Sequence, residues 1–433
     1  MDLVNKLESK TATIGVIGMD YVGLPLAVRF CEEGFRVIGF DIDSEKIRRL
    51  AAGKNSLKCI PAERISDLLA TGRYELTNNY DRLSESDCII ICVSMRLNEK
   101  KKPDLSYLEF MVDQVAQRLR PGQLVSLEGT TYPGLTREVL LPRFGAGGLR
   151  AGHDYYLIYA IGQEEPGGSC MAARTVPKVI GGITPACARA GQALYAKIVD
   201  RVVVMSSPEI AEFAKILENA FLCVNIALVN ELKMLAERMN LDIWEVIDAA
   251  ATKPFGFMPF NPGPGVGGHC IPIDPCFLSW KAKEFDFTTR IIELAGEINA
   301  GMPYYIVSKA VEALNGQGKP LKDSRILILG IAYKKDIADA SESPALKIIE
   351  LLAARGALVE YHDPFIPTTS PHLYPEKCRS SVPLDLDRLG DYDLVILVTD
   401  HSSFPYEQIH EHSRLILDTQ NAFKTRSDKI IKA

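Results

Sequence analysis

The chain is expected to be an α/β protein, with two doubly wound domains joined by a central domain built on one long helix. Three observations carry this expectation. Short apolar runs alternate with amphipathic stretches near both ends of the chain, the pattern of a parallel sheet covered by helices on both faces. Each series opens with an apolar run that ends in glycine, at Gly18 and at Gly330. Between the two series, residues 208–239 read as a single helix. A length of 433 residues accommodates about three domains at ~150 residues each.

The elements follow in order. Residues 12–17, Ala-Thr-Ile-Gly-Val-Ile, form a strand, residues 18–23 a glycine turn, and a helix then runs to about Gly34. A second strand, Arg36 to Phe40, ends at Asp41 and completes a βαβ unit of Rossmann-like form. Further strands are expected at 88–93, 124–128 and 155–159. Cys88 and Cys92 lie inside an apolar run and read as buried strand residues. Ser207, Pro208 and Glu209 suit the cap and first turn of the long helix. Its apolar residues Phe213, Ile216, Ala220, Leu222, Ile226, Val229 and Leu232 recur mostly at threes and fours. They occur nearly all round, which predicts packing on several sides, with the helix serving as a spine and a dimer surface. A second α/β unit starts at Arg325, with a helix over about 343–355 and strands ending near Tyr361, Val398 and Asp418. The linker before it is expected at 316–323, so the domains divide as 1–206, 207–315 and 316–433.

A hydrophobic content of 47% and a charged fraction of 24% fit a large core. The net charge of −6 speaks against nucleic acid or an anionic membrane as a partner. Ten cysteines without framework spacing fit reduced thiols and a cytoplasmic location. The charged N-terminal stretch lacks an apolar signal core, and no apolar run approaches the ~20 residues that span a bilayer.

Several motifs carry chemistry. Gly18-Met19-Asp20-Tyr21-Val22-Gly23 stands where a dinucleotide fingerprint belongs, and Asp41 stands where an acid binds the adenosine ribose. The middle glycine of that fingerprint is Asp20 here, which sets a negative charge toward a diphosphate. One charge pair at ~4 Å in an effective dielectric near 20 is worth roughly 4 kcal/mol, and its sign opposes binding. Residues 262–275, Pro-Gly-Pro-Gly-Val-Gly-Gly-His-Cys-Ile-Pro-Ile-Asp-Pro, form a loop too rich in glycine and proline for a helix or strand interior. A lone cysteine reads first as a buried, inert thiol. The nucleotide-binding unit in the same chain shifts Cys270 toward a nucleophile held exposed on that loop. Lys215 and Asn219 share a face of the long helix, a pair that can hold an oxyanion or a water, although such pairs are mostly solvated surface. Lys334 and Lys335 follow the strand 325–330 at a turn where α/β sheets bind ligands. The histidines form no metal-ligand pattern, and only His269, beside Cys270, stands in a telling place.

On these residues the chain resembles the UDP-glucose/GDP-mannose dehydrogenase family over nearly its whole length. The strongest elements are the 265–275 loop, Ala214-Lys215 through Asn219 to Glu231, Thr130-Thr131-Tyr132-Pro133-Gly134, and Ala332-Tyr333-Lys334-Lys335-Asp336. The His269-Cys270-Ile-Pro-Ile-Asp274-Pro form is similar to the branch acting on UDP-N-acetylhexosamines, with UDP-N-acetylglucosamine the favoured substrate. The resemblance implies an NAD-binding N-terminal domain, a central dimerisation domain with the cysteine loop, a C-terminal UDP-sugar-binding domain and a homodimer. It also implies a four-electron oxidation of the sugar C6 alcohol to the uronic acid through a thiohemiacetal and thioester on Cys270, for surface polysaccharide precursors. Lys215, Asn219, Asp274 and Thr130 match its catalytic positions, and Gly18, Tyr21, Val22, Gly23, Asp41 and Thr130 its cofactor positions. Lys215, Asn219, Gly267, His269, Lys334 and Lys335 match substrate positions; no metal is implied.

The departures from the family pattern fall mostly on ligand-facing positions. Asp20 replaces a glycine, Ser94-Met95-Arg96 replaces Pro-Thr-Pro, and Gly129 replaces a serine. Ala160-Ile161-Gly162-Gln163 stands for Ser-Pro-Glu-Arg, whose glutamate is the family's hydrolytic base, and Ser341 and Gln420 replace arginines. Glu164 and Glu165 could stand in for the lost glutamate only after a loop shift, being displaced from it by two and three residues. A second reading is therefore an impaired or inactive relative that keeps the fold and binds nucleotide sugar or acts as a scaffold. A β-hydroxyacid dehydrogenase is disfavoured by the second α/β domain and the cysteine loop.

Overall fold

The computed structural model describes residues 2–54, 60–93, 95–98, 102–162, 174–268, 270–369, 380–425 and 427–433. The chain forms two compact units, Met1–Glu218 with Trp280–Phe287, and Asn219–Ser279 with Thr288–Ala433.

The first unit holds an eight-stranded sheet. Its strands are β1 (Thr13–Ile17), β2 (Arg36–Phe40), β3 (Tyr74–Thr77), β4 (Cys88–Ile91), β5 (Leu124–Glu128), β6 (Tyr156–Ala160), β7 (Lys178–Gly182) and β8 (Val202–Met205). The spatial order is β8-β7-β6-β5-β4-β1-β2-β3, so the order reverses between β1 and β4. β1 pairs in parallel with β2, Thr13 opposite Arg36, and with β4, Ile14 opposite Cys88. The central strands β1, β4 and β5 are buried along their whole length because helices cover both faces, and Cys88 is buried in the core as expected. On one face Val16, Val37 and Ile90 pack with Phe30, Phe35 and Tyr195 from the flanking segments. The expected parallel sheet needs one correction: β6 and β7 pair antiparallel, Ile158 opposite Gly182. β3, β7 and β8 were not expected from the sequence, each being only four or five residues long.

The second unit holds a five-stranded, wholly parallel sheet of β9 (Arg325–Leu329), β10 (Leu358–His362), β11 (Leu394–Leu397), β12 (Ile416–Asp418) and β13 (Ile430–Lys432). Its order, β10-β9-β11-β12-β13, reverses between β9 and β11. Alternation along each strand supplies two cores. Ile326, Ile328 and Ile396 face the helices Arg290–Gly316 and Pro344–Ala354, while Leu327, Leu329 and Val395 face Leu389, Phe404 and Ile409. Ser343 caps the second of these helices, its hydroxyl accepting from the Ala345 N–H. The helix Arg290–Gly316, which passes through Pro303, lay outside the sequence expectations.

The long helix runs from Pro208 to Arg238, as its periodicity predicts. Its expected packing on several sides is not met within the chain. Ile216, Ala220 and Val229 are buried, but Ile210, Phe213, Leu217, Phe221, Leu228, Leu232 and Leu235 form an exposed apolar stripe. Among the described residues, no helix is long and apolar enough to cross a membrane.

Candidate active site

The glycine turn sits at the switch point of the first sheet, where open α/β sheets bind ligands. A Cβ at Gly18 would collide with the Cys92 carbonyl and one at Gly23 with the Gly18 carbonyl, so strand, turn and helix meet without side chains between them. Tyr21 and Val22 are half-buried on this turn. Asp41 is 2% exposed at the end of β2. Its carboxylate is fixed by the backbone N–H groups of Met19 and Asp43, each at 2.9 Å. A residue the sequence reading missed completes this corner. Lys46, in the first turn of the helix Ser44–Ala51, places Nζ 2.6 Å from Asp20 Oδ1 and 3.0 Å from Asp41 Oδ2. Burial works against charge on Lys46, but the two carboxylates outweigh it and hold its pKa above the ordinary lysine range. The charge of Asp20 is thus partnered rather than aimed bare at a diphosphate. Tyr107 lies near the same corner, its hydroxyl pushed up to about 12, first by burial and then by Asp41. With side-chain-free glycines at the turn and a fixed acid beyond it, these residues fit NAD. Gly18, Tyr21, Val22 and Gly23 would cradle the dinucleotide, and Asp41 would take its ribose.

Thr130 and Thr131 are buried just beyond β5. Their loop is held by Glu212, a fully buried carboxylate of the long helix that sequence reasoning also missed. Glu212 accepts from the N–H of Gly134 at 2.6 Å, the N–H of Thr136 at 2.9 Å and the Thr136 hydroxyl at 2.6 Å. Burial pushes its pKa up to about 7 in spite of these donors. Gly162 follows β6 by two residues and is half-buried, with no side chain to act as a base. Glu164 and Glu165 lie outside the described residues, as do Ser94 and His269. Arg96 opens a two-residue strand paired antiparallel with Pro103–Asp104.

In the second unit the cysteine loop is pinned at both ends. Gly263 N–H donates to Asn230 Oδ1 at 2.9 Å, and Asn230 in turn donates to Asn299 at 3.0 Å. Gly268 N–H donates to the Ser341 carbonyl at 2.9 Å. Gly268 has φ +91°, and a Cβ there would lie 2.8 Å from the Tyr333 ring; one at Gly267 would lie 2.7 Å from Tyr333 Cβ. The glycines are therefore required by close approach as well as by backbone conformation. The Cys270 carbonyl accepts from the N–H groups of Ile273 at 3.0 Å and Asp274 at 2.8 Å, and Asp274 opens the helix Asp274–Ala282. Cys270 is half-exposed, whereas Cys31, Cys88, Cys92, Cys187 and Cys223 are buried. Burial raises the Cys31 thiol to about 11, which marks it as inert. Asp274 is fully buried and its carboxylate accepts from the amide of Asn219, also buried. The structure thus brings Asn219, Asp274 and the Cys270 loop together. Lys215 is half-buried one turn earlier on the long helix.

A cleft opens at the switch point of the second sheet. Tyr333, Lys334 and Lys335 line it from the turn after β9, Thr399 and Asp400 from the end of β11, and Gly265 from the cysteine loop. Gln420 also lines it, with its amide donating to the Val398 carbonyl at 2.7 Å. Lys335 lies 3.4 Å from Asp400. Ser341 is buried and donates its N–H to Asp339. Ser341 is thus held in the core and Gln420 by a backbone carbonyl.

Comparison with known proteins agrees with this layout. Residues 12–199 match the NAD binding domain of the UDP-glucose/GDP-mannose dehydrogenase family, 209–301 its central domain and 327–425 its UDP binding domain. The chain is 34% identical over 417 residues to the UDP-N-acetyl-D-mannosamine dehydrogenase of Pyrococcus horikoshii, covering 95% of this chain and 96% of that one. It is 34% identical over 400 residues to the UDP-N-acetyl-D-glucosamine 6-dehydrogenase of Pseudomonas aeruginosa, covering 91% and 92%. The solved structure of the Pyrococcus horikoshii UDP-D-ManNAc dehydrogenase superposes with a TM-score of 0.86 at 31% identity, covering 97% and 98% of the two chains. The UDP-N-acetyl-mannosamine dehydrogenase Cap5O of Staphylococcus aureus superposes at 0.83 with 28% identity, covering 97% of each. With both switch-point sites in place and all three domains matched, the chain belongs to the UDP-glucose/GDP-mannose dehydrogenase family of NAD-dependent nucleotide-sugar dehydrogenases.

Proposed function

We propose that this chain oxidises a UDP-N-acetylhexosamine at C6 to the uronic acid, with Cys270 as the covalent nucleophile and UDP-N-acetylglucosamine as the first substrate to test. The carrying observation is the half-exposed Cys270 on a loop cleared of side chains, with the buried Asn219–Asp274 pair beside it. Bound NAD would accept the hydride in both oxidations, first from the C6 alcohol, which also loses a proton to give the aldehyde, and then from the thiohemiacetal. Cys270 thiolate adds to the C6 aldehyde, forming a C–S bond while the carbonyl oxygen takes up a proton. Loss of a hydride and a proton from this thiohemiacetal leaves a thioester. Water then breaks the C–S bond, releasing the carboxylate and returning the thiol. Asn219 and Lys215 are the proposed donors to the tetrahedral oxygen, Asp274 fixes the Asn219 amide, and Thr130 borders the nicotinamide and sugar. Lys334 and Lys335 take the diphosphate and Gly267 lets the sugar approach the backbone. We assign His269 to the sugar from the family pattern alone. The proposed division at 206/207 and 315/316 separates cofactor, dimerisation and UDP-sugar parts. A cytoplasmic homodimer serving surface polysaccharide synthesis completes the proposal, supported by the relatives' nucleotide-sugar chemistry and the exposed stripe on the long helix.

NADH absorbance at 340 nm, followed to completion with the purified protein, tests this. Two NADH per sugar are expected, from either the gluco or the manno epimer, and Cys270→Ser is expected to abolish turnover. No NADH from folded protein would reject the activity. A second reading, a nucleotide-sugar-binding relative without turnover, is favoured by Gly162, which offers no carboxylate, and by Gln420 and Ser341, which offer no cation. It predicts UDP binding with no NADH and no effect of Cys270→Ser.

A further inference from the structure

We infer that His401 is a positioning residue for nucleotide binding: a buried strut that joins the two ends of the turn carrying Tyr333, Lys334 and Lys335. The inference rests on the nucleotide-sugar reading of the cleft these residues line. The front of the turn is anchored by Asp363, whose Oδ2 accepts from the N–H groups of Ile331 at 2.7 Å and Ala332 at 3.0 Å. Thr399, on the opposite wall of the switch point, donates its hydroxyl to the Ala332 carbonyl at 2.6 Å. The back of the turn ends at Asp336, a non-glycine residue at φ +59° that needs its neighbours to hold it there. Asp336 N–H donates to His401 Nδ1 at 3.0 Å, and His401 Nε2 lies 3.1 Å from Asp363 Oδ2. One imidazole therefore ties the back of the turn to the carboxylate that holds its front.

The bonding assigns the ring's state. Nδ1 receives an N–H, so it carries a lone pair; Asp363 only accepts, so Nε2 carries the hydrogen. The ring itself cannot shift to another partner. His401 is fully buried, with its centroid 4.9 Å from that of Phe365 and 5.3 Å from that of Phe404. Ser402 adds a second clasp, donating its N–H at 2.8 Å and its hydroxyl at 2.6 Å to the Asp336 carboxylate. His401, Ser402, Asp336 and Asp363 do not line the cleft, yet together they set where the backbone of the lysine turn lies. Fixing the turn beforehand removes an ordering cost from binding, so the effect belongs in affinity for the nucleotide part.

The two ring bonds can be separated by substitution. Asn at 401 places a carbonyl oxygen near Nδ1 and keeps the acceptor for Asp336; Gln reaches toward Asp363 and gives up that acceptor. Calorimetric titration of the full chain with UDP is expected to show His401→Gln weakened about tenfold, the size of one lost hydrogen bond to a part-buried N–H. His401→Asn is expected to stay within about threefold of the parent by the same reckoning. With the nucleotide sugar, KM should rise in His401→Gln while kcat and the affinity for NAD stay unchanged. UDP binding by His401→Gln as tight as the parent's would overturn the inference while leaving the nucleotide-sugar reading intact. A parent that does not bind UDP would overturn both. Should His401→Gln fail to fold, Ser402→Ala, which removes the hydroxyl bond to Asp336 and keeps the N–H bond, is expected to weaken UDP about threefold; unchanged affinity there would equally overturn the inference.

Discussion

Asp20 shows how one side chain is redefined by a neighbour that sequence spacing does not flag. Alone it is a carboxylate in the space of a diphosphate. In the fold it is bound to Lys46, which also holds Asp41. A dinucleotide entering this corner competes with Asp20 for that lysine. Asp20→Gly is therefore expected to tighten NAD about fivefold, roughly 1 kcal/mol for one exposed charge pair released. Lys46→Ala is expected to weaken NAD, because it leaves two carboxylates facing the phosphates. Fluorescence or calorimetric titration with NAD measures both, and an unchanged affinity in Asp20→Gly would show that Asp20 is no obstacle. The departures at 341 and 420 are of another kind. Ser341 is absorbed into the core and Gln420 into a backbone hydrogen bond, so each is structurally at ease where it stands.

At the scale of elements, the loop carrying Thr130 depends on the long helix through Glu212. Three donors converge on this carboxylate in a fully buried site. Because burial raises its folded pKa from the usual 4.5 to about 7, protonation favours the native state. The stability it contributes is fully present below about pH 4.5 and is lost as pH rises through about 7. The thermal midpoint of the parent should fall across this window more steeply than that of Glu212→Gln, which cannot titrate. Parallel slopes for the two proteins would show that Glu212 does not carry the effect. The cysteine loop shows the same dependence on distant elements. Its glycines were legible from composition, but the reason for them, the Tyr333 ring and the Asn230–Asn299 relay, comes from segments far along the chain.

At the scale of the whole molecule, the long helix carries an exposed apolar stripe. Phe221, Leu228 and Leu235 recur every seven residues on it, and Leu232 lies among them. A second copy packing along this stripe would bury it, as the proposed homodimer requires. Paired Phe221→Asp and Leu228→Asp substitutions are expected to convert a dimer to monomer, read by light scattering after size exclusion; a monomeric parent would refute the dimer outright. What could be read before the fold was known is local. Apolar runs marked most of the central strands, periodicity marked the long helix to within a residue or two, and the glycine turn and cysteine loop announced themselves by composition. What only the folded chain decided is the pairing of groups far apart in sequence. The antiparallel β7, Lys46 between two acids, Glu212 beneath the threonine loop and His401 across the lysine turn leave no periodic trace. A strand or helix repeats its pattern along the chain because its hydrogen bonds or its buried face do. A single side chain bonded to a segment tens of residues away repeats nothing, and it becomes visible only when the sheet's topology has carried both partners to the same edge.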